Sequence, residues 1–159
     1  MQHVEANIDG KKVSVLFDSG SDRSYVRSDT AERLGLQSVG TERHRVSGFG
    51  GKRQKVTSKT VHKLDQGGTE LNLLSMKDIA SPMFREPVPQ ETLNLLKDIP
   101  VRENLSESNL IDVDILIGLD HYWDIVFPTC VVLDKSLVAY NSKFGWFICG
   151  NYTNKVKHW

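Results

Sequence analysis

The stretch that organises this chain reads Val13-Ser14-Val15-Leu16-Phe17-Asp18-Ser19-Gly20-Ser21. It begins as an apolar run with strand propensity and changes abruptly to a carboxylate, a hydroxyl and a glycine. A strand that ends in this way holds the carboxylate of Asp18 rigidly, and Gly20 permits a sharp turn because glycine tolerates positive φ at no steric cost. The small hydroxyl residues can bond to nearby backbone groups and fix the loop. We interpret the stretch as a loop that presents a single aspartate to a cleft, although the same residues are common in ordinary turns.

A second apolar run lies far downstream and reads Val113-Asp114-Ile115-Leu116-Ile117-Gly118. By composition it is the most strongly buried strand candidate in the chain. Residues 119–123 are expected to continue from it as at least one helical turn. Because this run occurs in the same chain as the Asp18 stretch, we interpret residues 13–21 as more than a simple turn.

The first part of the chain is predicted to form strands around one short helix. Val4–Ile8 and Lys12–Phe17 flank Asp9-Gly10, a dipeptide that strongly favours a hairpin turn. Residues 28–35 predict a two-turn helix, with Ser28 or Asp29 as its N-cap and Gly35 at its C-terminal end.

The rest of the chain adds further short strands. Residues 41–65 predict a long polar hairpin with the glycine-rich tip Gly48-Phe49-Gly50-Gly51. Other strands are expected at residues 71–76, 130–133, 137–140 and 145–148. Many short strands at regular spacing predict an all-β fold whose sheet is closed or sandwich-like.

The length of 159 residues fits a single domain, residues 1–159. Residues 78–110 contain four of the five prolines, and we interpret them as a loop inserted into that domain, with at most a short helix over residues 90–97. The tail, residues 151–159, is either a strand of a dimer or disordered.

Charge and cysteine content exclude several classes of partner. Lysine plus arginine number 20, as do aspartate plus glutamate, so neither a nucleic acid nor a membrane surface is expected as a partner. No signal-peptide apolar segment begins the chain, which predicts a cytoplasmic location. Cys130 and Cys149 lie in apolar runs and are predicted to be buried free thiols, with a disulfide between them as the alternative. No metal-ligand spacing occurs, and we expect neither a metal site nor a cofactor.

Taken in order, the Asp18-Ser19-Gly20 loop, the helix ending at Gly35, the glycine-rich hairpin and the Ile115–Asp120 run resemble a retropepsin-like aspartic protease. Residues 16–26, 116–122 and 145–150 are most similar to the protease domain of BEL/Pao-type LTR retrotransposon polyproteins. The resemblance covers about residues 4–150. It implies a closed β-barrel with one or two short helices and an inserted loop.

The resemblance also implies an activity and a set of site residues. The activity is that of an aspartic endopeptidase acting on a polypeptide substrate, with the catalytic loop Asp18, Ser19 and Gly20. Gly118 would let its strand pass close behind that loop. Substrate contacts are implied at Ser21, Asp22, Gly48, Phe49, Gly50, Gly51 and Ile117. Ser21 is further expected to donate a hydrogen bond to the Asp18 carboxylate and so to favour its ionised form.

One chain supplies one Asp-Ser-Gly loop, whereas this chemistry needs two carboxylates that share a proton. Asp112, Asp114 and Asp120 flank the downstream strand, but none is followed by Ser/Thr-Gly. The resemblance therefore implies a homodimer with Asp18 and its symmetry mate on the two-fold axis. The alternative is a catalytically silent protease-fold module that serves self-association or peptide binding. Trp123 and Trp146 are predicted to pack in the core or at an interface.

Overall fold

The computed structural model describes residues 2–47 and 54–150, which form a mostly β protein. The strands are β1 Gln2–Ile8, β2 Lys11–Phe17, β3 Tyr25–Arg27, β4 Gln37–Ser47, β5 Gln54–Gln66, β6 Thr69–Met76, β7 Met83–Arg85, β8 Asn109–Ile111, β9 Ile115–Ile117, β10 Val126–Asp134, β11 Leu137–Ser142 and β12 Gly145–Gly150. The helices are α1 Ser28–Leu34, α2 Gln90–Leu95 and α3 Leu119–Ile125. The described residues thus hold three short helices, where the resemblance implied one or two.

The main sheet has the strand order β1-β2-β9-β3-β6-β5-β4. Strand β9 is parallel to β2, with Phe17 opposite Ile117, and antiparallel to β3. Because β2 and β3 are consecutive in the chain, the loop that joins them must span the end of β9. That loop carries Asp18. The apolar run near residue 115 is therefore the strand that holds the Asp18 loop from within the sheet.

The predicted hairpin at Asp9-Gly10 is confirmed, since β1 and β2 pair antiparallel with Ile8 opposite Lys11. Asp9 and Gly10 both have positive φ, 50° and 80°, as a type I′ turn requires. The predicted end of α1 is also confirmed, because Gly35 has φ 65° and its N–H donates to the carbonyl of Glu32. The predicted N-cap is wrong. Arg27 occupies the cap position without a side-chain cap bond, and the carboxylate of Asp29 instead pairs with Arg27 Nε at 2.6 Å.

No closed barrel is found among the described residues, where the strands form open sheets of seven, three and two strands. The seven-stranded sheet ends at β1 on one side and at the long β4–β5 hairpin on the other. At the β1 side, β1 packs against β12 of the three-stranded sheet β10-β11-β12. The two sheets share a core instead of joining edges.

That core is built on the inward face of β2. Val13, Val15 and Phe17 are buried and alternate with less buried neighbours, as expected of a strand with one covered face. The ring of Phe17 stacks on Phe147 of β12 at 4.6 Å between centroids and meets Tyr122 of α3 edge-on at 6.2 Å. The side chain immediately before Asp18 is thus fixed by aromatic packing.

Residues 78–110 are more ordered than the predicted loop. They contain β7, the helix α2 and the first residues of β8, and β7 pairs with β8 as a two-stranded sheet. Val88, Leu96 and Leu105 of this segment form a second apolar cluster with Leu137, Ala139 and Ile148 of β11 and β12. The prolines break regular structure locally but leave enough apolar side chains to anchor the segment on the three-stranded sheet.

A buried polar cluster also anchors this segment to β1. Glu103 pairs with the guanidinium of Arg85 and lies 2.6 Å from His3 Nδ1 through its other oxygen. The hydroxyl of Ser14 lies against His3 Nε2, while His3 Nδ1 faces Glu103 Oε1 without a hydrogen bond between them. Burial, and next the guanidinium of Arg85, lower the pKa of His3 from 6.5 to about 4.

Three predictions of burial can be compared with the structure. Both cysteines are free, but Cys130 is exposed and Cys149 only partly buried, so the prediction of buried thiols is wrong. Trp146 packs against the second apolar cluster as predicted. Trp123 does not lie in the core, since 71% of it is exposed. An apolar run alone does not tell which side of a short strand or helix faces the core.

None of the helices in the described part of the chain is long and apolar enough to cross a bilayer.

Candidate active site

Asp18 follows the last residue of β2 and is exposed, as are Ser19 and Gly20. The Asp18 N–H donates to the carbonyl of Ile117 at 2.9 Å, and the Ser21 N–H donates back to the Asp18 carbonyl at 3.1 Å. The Gly20 N–H donates to Asp18 Oδ1 at 2.9 Å. The backbone on both sides of Asp18 is therefore fixed, while its carboxylate remains open to solvent.

Gly118 packs directly behind this loop. A Cβ atom at position 118 would lie 2.2 Å from the carbonyl oxygen of Arg23 and 2.7 Å from that of Ser21. The φ angle of Gly118 is −91°, which any residue adopts, so the requirement for glycine comes from space and not from backbone conformation. The predicted close approach of this strand to the Asp18 loop is confirmed.

Hydrogen bonds from the start of α3 complete the support of the loop. The Leu119 N–H donates to the carbonyl of Ser21 at 2.7 Å. The hydroxyl of Ser24 accepts from the Gly118 N–H at 2.9 Å and donates to Asp120 Oδ1 at 2.6 Å. Asp120 Oδ2 also accepts from the Ser24 N–H at 3.2 Å. Because Asp120 binds both polar groups of Ser24, it joins the far end of the loop to the helix.

Sequence reasoning missed this role of Asp120 and the contribution of Ser24. The only signal available was the order of residues 118–120, a glycine followed two positions later by a carboxylate. It does not reveal that the partner is 96 residues away.

Ser21 does not make the predicted bond to the Asp18 carboxylate. Its hydroxyl donates instead to the carbonyl of Arg23 at 2.8 Å, a bond within the turn that fixes the loop in the way short hydroxyl side chains commonly do. The carboxylate of Asp18 is held by the backbone N–H of Gly20. The prediction that the Ser21 hydroxyl favours the ionised carboxylate is therefore wrong in this structure.

Arg23 connects the Asp18 loop to β4, the first arm of the long hairpin. Its guanidinium makes a two-pronged ion pair with the Glu42 carboxylate, with Nη2 at 2.7 Å from Oε2, and its Nε lies 3.5 Å from Asp120 Oδ2. The bond to Arg23 lowers the pKa of Glu42, and the bond to Glu42 raises the pKa of Arg23. The Asp18 loop and the hairpin arm are therefore linked through charged side chains.

Asp114 joins three elements at the start of β9, the end of that strand opposite the Asp18 loop. Its carboxylate is buried and accepts from the Ser14 N–H at 2.9 Å and from the Thr30 hydroxyl at 2.7 Å. The guanidinium of Arg27 lies 3.2 Å from the same carboxylate. Asp114, the residue directly before β9, therefore binds to β2, β3 and α1.

The other residues that the resemblance implied for substrate binding occupy different environments. Asp22 is exposed on the loop, next to Arg23. Ile117 is completely buried in the core, so in this structure its contribution to the loop is its carbonyl, which accepts from the Asp18 N–H. The hairpin tip Gly48-Phe49-Gly50-Gly51 lies outside the described residues.

The described residues contain no cluster of three or more histidine, cysteine, aspartate or glutamate side chains that could hold a metal ion. The chemical group that the loop presents is a single carboxylate, rigidly placed and open to a ligand or to a partner carboxylate. A carboxylate so placed can act as a general base, or as an acid when protonated.

Comparison with protein families gives one match. Residues 4–81 match the model of a family described as aspartyl protease, a span that contains most of β1, the Asp18 loop, α1 and the strands β2–β6. A search of curated proteins finds no match. Together with the geometry of the Asp18 loop, the family match supports an aspartyl protease family for this chain.

Proposed function

We propose that this chain is an aspartic endopeptidase that works as a homodimer and hydrolyses peptide bonds with a water molecule held between two Asp18 carboxylates. The observation that carries the proposal is the Asp18 loop itself. It is fixed from behind by Gly118 and Asp120 and leaves one carboxylate exposed. Such a carboxylate lacks the partner that this chemistry requires, and a second copy of the chain supplies it.

Two carboxylates in contact share one proton, since like charges so close cannot both be ionised. The ionised Asp18 takes a proton from the water, whose oxygen attacks the carbonyl carbon of the scissile bond. The protonated Asp18 donates a hydrogen bond to the carbonyl oxygen and polarises it. Return of a proton to the amide nitrogen breaks the C–N bond and releases the two peptides.

The residues around Asp18 have roles that follow from their position. Ser19 makes contact across the two-fold axis and joins the two loops, and Gly20 offers backbone groups to the substrate. Asp22 contacts the main chain of the peptide. The hairpin tip, residues 48–51, closes over the peptide and excludes water, and Phe49 supplies an apolar contact. The Arg23–Glu42 pair supports this assignment because it connects the tip's own strand to the Asp18 loop.

We further propose that the substrate is a retrotransposon polyprotein of the BEL/Pao type from which the protease itself is excised. The support is the similarity of residues 16–26, 116–122 and 145–150 to the protease segment of such polyproteins. A substrate of this kind presents extended segments between domains, which suit a cleft that reads the main chain of a peptide.

The activity is tested by incubating an unfolded protein substrate with the wild type and with Asp18→Asn at pH 5 to 6. We expect cleavage by the wild type, inhibition by a pepstatin-like compound, and a loss of at least about 1,000-fold in Asp18→Asn, since removal of a catalytic group commonly costs several powers of ten. Mass spectrometry of the products locates the bonds that are cut.

Asp65→Asn is the matched control, because Asp65 is an exposed aspartate at the far end of β5. It should cleave as the wild type does. Equal and inhibitor-insensitive cleavage by the wild type and Asp18→Asn would assign the activity to a contaminant. Absence of cleavage by a folded wild-type dimer would leave the silent binding module as the function.

A further inference from the structure

Helix α3 exposes apolar side chains on the side that does not face the core. Tyr122 and Ile125 point inward and are buried, whereas Leu119 is 46% exposed and Trp123 71% exposed. Leu119 and Trp123 are four residues apart and so share one face of the helix. Phe127, just after the helix, is 39% exposed. A tryptophan exposed to this degree on the same helix face as an exposed leucine is typical of a surface that another molecule covers.

This face adjoins the catalytic loop. The N–H of Leu119 donates to the carbonyl of Ser21 at 2.7 Å, three residues after Asp18. Any second molecule that brings its carboxylate to Asp18 must approach the end of the sheet at which α3 begins. The apolar face is therefore continuous with the region where the proposed function requires a partner.

Strand β10 follows α3 directly in the chain and carries further exposed apolar side chains. Within the described residues it is an edge strand, paired only with β11. Residues 125–133 carry no charged side chain, and Val132 is 69% exposed. Soluble proteins usually protect exposed edges with charges, prolines or bulges. Pro128 and the register shifts after Val126 and Val132 protect the two ends of β10. Its regularly paired part, residues 130–132, has none of these devices, which favours a strand that is covered in the working assembly.

We propose that Leu119, Trp123 and Phe127, together with the free edge of β10, form the surface by which a second copy of this chain docks. We name it the α3–β10 surface. The proposal rests on the homodimer of the proposed function and assigns its interface. The occupant is a second copy because the surface adjoins a site that is incomplete without one, and because a chain of zero formal net charge does not repel its own copy.

A two-fold axis places the same surface of both copies in contact. Trp123 of each copy would then be buried in the interface, where aromatic side chains contribute much of the binding energy. The interface is tested by sedimentation equilibrium on the wild type, Leu119→Glu and Trp123→Glu. We expect each substitution to raise the dimer Kd by about 30-fold or more, as loss of a central anchor does.

Phe84→Glu and Leu110→Glu are matched controls. Both residues are apolar and more than 60% exposed, at 65% and 64%, and they lie opposite each other in β7 and β8. Their dimer Kd should equal that of the wild type. Circular dichroism and thermal unfolding establish that all four variants fold, and Leu119→Glu provides a second measurement should Trp123→Glu fail to fold.

The outcomes separate this surface from the proposed function. If Leu119→Glu and Trp123→Glu both dimerise with the wild-type Kd, the proposed surface is overturned. Peptide cleavage by those variants would show that the proposed function stands without this surface. Loss of dimers in these two variants, but not in the controls, would support the surface. Absence of peptide cleavage by the wild-type dimer would overturn only the enzymatic proposal. A wild type that stays monomeric at every concentration would overturn the surface.

Discussion

Gly118 shows how much of the Asp18 loop depends on a single missing side chain. The two backbones, at residue 118 and at residues 21–23, approach so closely that no Cβ fits between them. The atoms in the way are backbone atoms, which cannot rotate aside as a long side chain would. The loop therefore has to move if any other residue replaces Gly118.

We expect Gly118→Ala to lower the free energy of unfolding by at least about 3 kcal/mol, at the upper end of the cost of overpacking, and to abolish proteolysis. Gly35→Ala is the comparison, because position 35 has open space around it and a φ of 65°. It should cost only about 1–2 kcal/mol, the cost of a left-handed backbone. Urea unfolding measures both. Equal losses would show that the contact behind the loop is not tight.

At the residue scale, the sequence predicted the groups whose role is set by near neighbours. Gly35 and the Asp9-Gly10 turn fall in this class, because their conformations depend on residues a few positions away, whereas Gly20 does not have the positive φ that its turn was expected to need. Asp120 was missed because its partner Ser24 is distant in the chain. The error at Ser21 has the same origin, since two acceptors, the Asp18 carboxylate and the Arg23 carbonyl, lie within reach of one hydroxyl and the sequence does not rank them.

Helix α2 illustrates the scale of elements. It begins after Pro89 and has no side-chain cap, so its stability depends on packing more than on its own sequence, as is usual for short helices. Leu96, at its C-terminal end, is buried against β11 and β12, whereas the adjacent Leu95 is exposed. The helix is therefore held to the protein through one side of its last turn.

We expect Leu96→Ala to destabilise the whole chain by about 2–4 kcal/mol, in the range measured for buried leucines, and to do so within a single unfolding transition. Leu95→Ala, its exposed neighbour, should cost less than about 0.5 kcal/mol. Thermal unfolding followed by calorimetry makes the comparison. Separate melting of residues 78–110 in either protein would contradict a single cooperative domain.

The elements were predicted well where periodicity or turn residues mark them and poorly where tertiary packing decides. The β1–β2 hairpin, α1 and α3 agree with the sequence analysis. The inserted segment was described as a loop because of its prolines, yet its apolar side chains at positions 88, 96 and 105 find partners on another sheet. The open arrangement of the sheets likewise depends on contacts between distant strands, which local sequence does not report.

At the scale of the whole molecule, the buried His3 makes stability depend on pH. The unfolded chain binds a proton at His3 below pH 6.5, whereas the folded chain does so only near pH 4. Between these values the unfolded state holds the extra proton, so the free energy of unfolding falls as the pH is lowered. The lowered pKa corresponds to a total loss of roughly 3 kcal/mol.

We therefore expect urea unfolding to show declining stability from pH 6.5 to pH 4.5, and His3→Gln to remove most of that slope. His62→Gln, a partly exposed histidine of β5, is the control and should keep the wild-type slope. The same slope in His3→Gln as in the wild type would mean that other groups take up the proton. The result also affects the choice of pH for the peptide-cleavage assay. The acidic pH that favours the proposed two-carboxylate chemistry lowers the free energy of unfolding.

The insertion of β9 between β2 and β3 has a consequence for the order of events during synthesis. Val15 pairs with Ile115, so the Asp18 loop gains its support only after the ribosome has released a hundred further residues. Until then the carboxylate sits on an unsupported turn. Contacts this distant in the chain also close slowly, because a long stretch must be ordered before they form. Under the proposed function, a nascent polyprotein is safe from its own protease until that stretch has emerged.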